Sequence, residues 1–325
     1  MCSSKISRVG ILLFVHICLE MMDKNQSFDP EYVLSIMLKQ NFYLMWSHKL
    51  YTFANLVLLE YFTANNAVPC ADFADYYKSL KGEESVQEEF DGLLTQLKND
   101  LALRKYLCGE TKERGDGVTH VDSFTRENQF IVIPKPKPMY LWGFVLQHKI
   151  QQIVILNEEI VDQDNFLPTK NNPIEFANVD FHLLSEDDSD HMKYLCVKIS
   201  DSSVAKYAMP TKYINMVILK GWKDVHALPL PSDLISFWEN SEKQRKGPWQ
   251  TLLICKDGAT FCGFYLAIGY LVEKIRMEQL VDVEWAIRKL HQQNINFYLQ
   301  KKNYRYLLDA ALYYLMCHSN YANFK

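Results

Sequence analysis

Apolar residues keep a helical spacing at both ends of the chain and a strand spacing between them. The stripe Leu50, Phe53, Ala54, Val57 and Tyr61 recurs every three or four residues and predicts a helix over about 48–62. Two helices precede it, at about 9–23 and 30–40, the second with Asp29 as N-cap and Pro30 at its first position. Asn65-Asn66-Ala67-Val68-Pro69 breaks the pattern and reads as a linker. Helices resume over 71–80 and 85–98. From Val118 to Ile133 the pattern alternates, which predicts two strands. Pro134-Lys135-Pro136-Lys137-Pro138 lacks three backbone donors and is extended. A helix over 139–149 and a buried strand over 152–156 follow, then strands over 176–184, 192–199 and 213–220 as antiparallel neighbours. A helix over 234–245 leads to a short apolar strand, Thr251–Ile254, and three helices close the chain at 261–276, 282–293 and 302–317.

The last three helices repeat the order of the first three. Each set follows a Cys-containing loop, at Cys2 and at Cys255, and each runs helix, acidic break, helix, Tyr-rich helix. Self-similarity of this kind indicates a duplicated unit. The chain reads as the tail of one domain followed by a complete copy.

Composition narrows the class. The 325 residues are 48% hydrophobic and carry a net charge of −4, so a sizeable core is available and nothing favours nucleic acid or an anionic membrane. Eight cysteines without a CxxC pair fit free thiols in a reducing compartment. The apolar run Val9–Met22 contains His16 and Glu20 and is too short and too polar to span a bilayer. His120, His182, His191 and His226 lack ligand-like spacing, so no metal is expected. Glu239, Glu242, Lys243, Arg245 and Lys246 read as a solvated helix end, and Glu186, Asp187, Asp188 and Asp190 as an exposed hairpin loop.

The stretch Leu252–Gly263, LLICKDGATFCG, carries the candidate chemistry. A strand, a tight loop (Lys256, Asp257, Gly258, Ala259, Thr260) and a helix N-terminus converge N–H groups on one point, where the helix dipole adds positive charge. Cys255 ends the strand at the mouth of that nest, a setting that favours a thiolate. A buried Cys closing a core strand is the plainer reading of the same residues. Cys255 and Cys262 flank the loop and could pair reversibly.

These residues resemble the classical protein tyrosine phosphatases, in particular the paired cytoplasmic domains of the receptor type. The family signature is His-Cys, five residues, Arg-Ser/Thr-Gly; Cys2, Arg8 and Gly10 match it, and Ile254-Cys255 to Phe261-Cys262-Gly263 has the same frame. Val121 to Pro138 is similar to the "YIDGY…NAYIATQGPLP" segment at Asn128, Phe130, Ile131, Pro136 and Pro138. Phe166-Leu167-Pro168 stands for "YWP", Gly221–Pro229 for the mobile "WPDHGVP" loop, and Asn303-Tyr304-Arg305-Tyr306 for "QYxF". The ordered set covers nearly the whole chain.

The resemblance implies a reaction with a thiolate nucleophile, an Arg holding the phosphate, an Asp acid, a Gln that positions water and a Tyr that stacks on the substrate. Cys255 and, by position, Asp224 remain. The Arg is replaced by Phe261, the stacking Tyr by Leu101, the water-positioning Gln by Leu299, and the His before the nucleophile by Ile254. Phe261 cannot form the bidentate contact that guanidinium makes with phosphate. Asp257 adds a carboxylate where a phosphate dianion would sit, and Lys256 offsets that charge only if it points inward. The first copy keeps Cys2 and Arg8, but has Trp46 where its Gln belongs and lacks every strand of the family's sheet.

The expected fold is therefore α/β (α+β): a twisted mixed sheet flanked by helices, preceded by a short all-helical remnant. The expected domains are 1–64 (end of a first phosphatase domain), 65–70 (linker) and 71–325 (second, degenerate domain). The expected function is a catalytically impaired regulatory or interaction module in phosphotyrosine signalling. An active phosphatase, or a piece of a longer receptor whose upstream domain is the enzyme, are the alternatives. No cofactor, nucleic acid or membrane contact is expected. Partners would be phosphotyrosine-signalling proteins or a catalytic phosphatase domain, and the location cytoplasmic, alone or as the intracellular part of a single-pass receptor.

Overall fold

The computed structural model describes residues 6–25, 29–63, 66–80, 82–108, 117–161, 166–200, 213–224, 226–245, 247–294, 296–297 and 300–322. The chain separates into two compact units, Met1–Ala67 with Tyr106–Gly109, and Val68–Lys105 with Glu110–Lys325.

The smaller unit contains α1 (Ile6–Asn25), α2 (Pro30–Gln40), a 3-10 turn at Phe42–Met45 and α3 (His48–Thr63). Asp29 caps α2 as its sequence requires, one carboxylate oxygen accepting from the Glu31 and Tyr32 N–H groups at 3.0 Å each. Phe14, Cys18, Val33, Met37, Ala54 and Leu58 form its core.

The larger unit begins with β1 (Val68–Pro69), α4 (Phe73–Ser79) and α5 (Glu83–Cys108). There follow β2 (Thr119–Val121), β3 (Phe130–Pro134), α6 (Pro138–His148) and β4 (Gln152–Ile155). Then come β5 (Ile174–Phe176), β6 (Val179–Asp188), β7 (Met192–Ser200), β8 (Tyr213–Leu219) and α7 (Pro231–Gln244). The unit closes with β9 (Thr251–Cys255), α8 (Thr260–Glu278), β10 (Leu280–Val281), α9 (Val283–Gln293) and α10 (Lys301–Ala322).

Eight of these strands form one mixed sheet in the order β2-β3-β9-β4-β8-β7-β6-β5. β3, β9, β4 and β8 are parallel, and the strands flanking them are antiparallel. Apart from Gln152, Asn215 and Thr251 near their N-terminal ends, the parallel strands are apolar, as strands covered by helices on both faces are. On β9, Leu253 and Cys255 join the core under α7–α10, while Leu252 and Ile254 face the core under α6. This is the α/β architecture expected from the sequence.

Several local expectations need correction. The predicted strand 176–184 is two strands, because Ala177 and Asn178 take positive φ (53° and 64°) and make a two-residue hairpin turn. The acidic run is largely strand, not loop: β6 continues to Asp188, with Lys193 on Glu186 at 2.5 Å and Lys220 on Asp188 at 2.9 Å. Helix α5 runs past Lys98 to Cys108, so Leu101 is helical. The charge cluster after α7 is not simply solvated. One Glu242 oxygen accepts from Nε and Nη2 of Arg245 (2.9 and 2.7 Å), both side chains being largely buried, and Glu239 pairs with Arg276. Lys246 lies outside the described residues. Val68 and Pro69, in the stretch read as linker, pair with Val281 and Leu280.

The internal repeat holds at atomic detail and at one constant displacement along the chain. Asp282 caps α9 as Asp29 caps α2, and both helices have 11 residues. Asn41 and Asn294 end those helices, each donating its N–H to a carbonyl four residues back (Met37, Leu290). Their side-chain oxygens accept from the N–H two residues on, at Tyr43 and Asn296. A Cβ on Gly10 would meet Leu44, and one on Gly263 would meet the equivalent Phe297.

Candidate active site

The loop of residues 256–259 leaves β9 at its C-terminal end, in the middle of the parallel strands, where open α/β sheets place their ligand sites. Gly258 makes the turn. Its φ is +69°, and a Cβ there would lie 2.6 Å from the Pro134 nitrogen on β3. Cys255 is fully buried.

Asp257 folds back over the loop. One carboxylate oxygen accepts from the Ala259 and Thr260 N–H groups at 3.0 Å each, and from the Cys255 thiol at 3.2 Å. Its other oxygen accepts from the Thr260 hydroxyl. The α8 N-terminus, the donor set that would receive an anion, thus holds a carboxylate of its own chain. Cys255 is a hydrogen-bond donor to that carboxylate in this arrangement.

Burial pushes the Asp257 carboxyl up, but the Thr260 hydroxyl, the Ala259 N–H, the Cys255 thiol and the Thr260 N–H outweigh it and hold the group below its ordinary range. Such a carboxyl stabilises the fold above its unfolded value, near 4, and the contribution is lost as pH falls through the lowered folded value. Asp257→Asn is therefore expected to flatten the acid limb of stability below about pH 4. Urea unfolding of both proteins at stepped pH measures this, and parallel acid limbs would contradict it.

Phe261, in the first turn of α8, is buried. Its ring meets Trp222 edge-on, centroids 4.5 Å apart, and Trp222 also meets Phe264 at 5.8 Å. The loop after β8 is tied down a second time by Asn157, a buried residue the sequence reading passed over. Its Nδ2 donates to the Trp222 carbonyl (3.2 Å) and its Oδ1 accepts from the Lys256 N–H (3.0 Å). An Asn two residues beyond β4, beside β9, was the available signal. Asp257 three residues before Thr260 was likewise legible as a turn-forming Asp whose carboxylate accepts from the N–H groups two and three residues on.

Asp224 is exposed, and its carboxylate accepts from the His226 N–H at 2.8 Å, the local bond of a turn-forming Asp. Lys256 is exposed. Ala259, the residue before α8, and Cys262, within it, are buried. Burial, then the Cys255 thiol and the charge of Asp257, push Cys262 well above its ordinary value. Cys255 and Cys262 are free thiols. Ile254 faces the opposite core. Leu101 is exposed on α5, while the preceding Asp100 holds Arg288 through two bonds of 2.9 Å. In the smaller unit Arg8 lies exposed in the first turn of α1 and Trp46 is exposed after the 3-10 turn. Cys2 and Leu299 lie outside the described residues. Among the described residues no cluster of His, Cys, Asp and Glu could hold a metal, and no helix is long and apolar enough to cross a membrane.

A family model described as protein-tyrosine phosphatase matches residues 118–313, more than half of the chain. The chain belongs to the protein-tyrosine phosphatase family. Its curated relatives include receptor-type tyrosine-protein phosphatase epsilon of Rattus norvegicus, 20% identical over 369 residues, covering 100% of this chain and 52% of that protein. Receptor-type tyrosine-protein phosphatase alpha of Homo sapiens is also 20% identical over 369 residues, with 45% of that protein covered. The chain thus spans about half the length of these relatives.

Proposed function

We propose that this chain is a catalytically impaired tyrosine-phosphatase-like protein that works as a regulatory or interaction module in phosphotyrosine signalling. The carboxylate of Asp257 on the loop's own donors is the observation that carries this reading. A substrate phosphate would have to displace a covalently tethered anion, and it would find Phe261 instead of a guanidinium. Losing one oxyanion donor typically costs about 10²–10³ in rate, and here the charged contact and the neighbouring N–H groups are both withheld. Residues 1–64 would be the end of a preceding phosphatase domain, 65–70 the linker and 71–325 the second domain. The partners in this reading are a catalytic phosphatase domain or phosphotyrosine-signalling proteins. A cytoplasmic setting follows from that role.

The test is hydrolysis of a phosphotyrosine peptide by the whole chain and by Cys255→Ser. Equal background release from both is the expected result. Turnover by the wild type that disappears in the variant would overturn the proposal and favour the active enzyme.

A further inference from the structure

At the other end of the sheet from Cys255, the N-terminal ends of β4, β8 and β9 open onto a cavity of about 270 Å³. Three large apolar side chains at its wall are exposed: Leu184 (56%), Tyr213 (46%) and Trp249 (40%). Leu184 is the extra residue of a β-bulge, since the pairing of β6 with β7 steps from Leu183–Val197 to Ser185–Cys196. A bulge re-aims a side chain that regular pleating would have placed elsewhere. Trp249 is positioned by a turn. Gly247 has φ +77°, and a Cβ there would come within 3.3 Å of the indole, so the ring lies directly over that glycine.

The polar wall is uneven. The side-chain amides of Gln152, Asn215 and Gln250 donate to the carbonyls of Ser241, Gln244 and Asn128. Gln151 Nε2 is buried and has no hydrogen-bond partner, a condition that costs free energy unless something fills it. Arg245 uses Nε and Nη2 on Glu242, which leaves Nη1 facing outward from that pair. Arg245 is the one charged side chain among the described lining residues, and its partner Glu242 is not one of them. Flat apolar faces beside two uncommitted donors fit a planar ring that carries an acceptor group.

We propose that this cavity binds a small aromatic carboxylate, its ring on Trp249 and its carboxylate between Arg245 and Gln151. The site is separate from the phosphate loop and does not depend on whether that loop is active.

The probe is indole-3-carboxylate titrated into the full chain, followed by saturation-transfer NMR. Saturable binding is expected, weakened about tenfold or more by Trp249→Ala and also by Gln151→Leu. The latter removes the spare donor and leaves the Glu242–Arg245 pair alone. Indole without the carboxylate should bind about tenfold more weakly, and Tyr140→Ala, an exposed aromatic away from the cavity, should change nothing. No saturation up to about 5 mM, or affinity unaltered in both Trp249→Ala and Gln151→Leu, overturns the proposal. So does an equal loss in Tyr140→Ala.

Discussion

Asp257→Ala combined with Phe261→Arg is expected to bind a phosphotyrosine peptide far more tightly than the wild-type protein does. The first change frees the Ala259 and Thr260 N–H groups from their internal carboxylate. The second supplies the guanidinium fork that a phosphate recognises bidentately. A charge-paired contact of this kind is worth on the order of 2–5 kcal/mol, or about 30- to 4,000-fold in affinity. Each single change should do much less. Phe261→Arg alone leaves the tethered anion in the nest, where it would pair with the new Arg. Asp257→Ala alone empties the nest but offers the dianion no cation. Calorimetric titration of the four proteins measures the gain. Absence of binding in a double variant that keeps its native circular dichroism would mean that the loop no longer forms a usable cradle.

Trp222→Ala should be the most destabilising change near the loop. The indole is buried between Phe261 and Phe264, and its Nε1 donates to the Asp224 carbonyl at 3.2 Å. Truncating a buried Trp typically costs about 3–5 kcal/mol, a fall in melting temperature of about 6–20 °C for a unit of this size. The same truncation unties the stretch from Trp222 to Asp224, leaving Asn157 as its link to the phosphate loop. Amide exchange at Lys223 and Asp224 should therefore rise more than the global loss explains. A melting temperature within about 2 °C of wild type would show that the aromatic packing contributes little.

The elements were legible because their signals are local. The Asp29–Pro30 helix start, the alternation of 118–133 and the apolar run 251–254 each specify their own backbone, and the structure places helix or strand there. The hairpin at Ala177–Asn178 was missed because an Ala with positive φ leaves no trace in composition. Helix α5 was legible over 85–98, and its continuation to Cys108 was missed because Asn99 and Asp100 favour caps and turns. In the candidate site, a Phe at the position where the resemblance expects an Arg could be read directly, as Phe261. What occupies the loop's donors could not. Asp257 was legible as an unwelcome charge beside a phosphate; that it turns inward and caps the loop depends on Gly258 pressed against Pro134, a contact between distant parts of the chain. Asn157 escaped for the same reason, since its two partners come from two other segments.

The constant displacement between the two helical sets has a practical consequence. One molecule carries two hosts for the same helix cap, one in a unit whose described residues include no strand and one beside an eight-stranded sheet. Asp29→Ala deletes two exposed cap bonds, from the Glu31 and Tyr32 N–H groups, whereas Asp282→Ala deletes the one from Trp285 together with a buried ion pair to Lys274 at 2.9 Å. Local amide exchange in each helix reads the two deletions separately. The gap between them measures what burial and the Lys274 pair add to a cap, with the protein as its own reference.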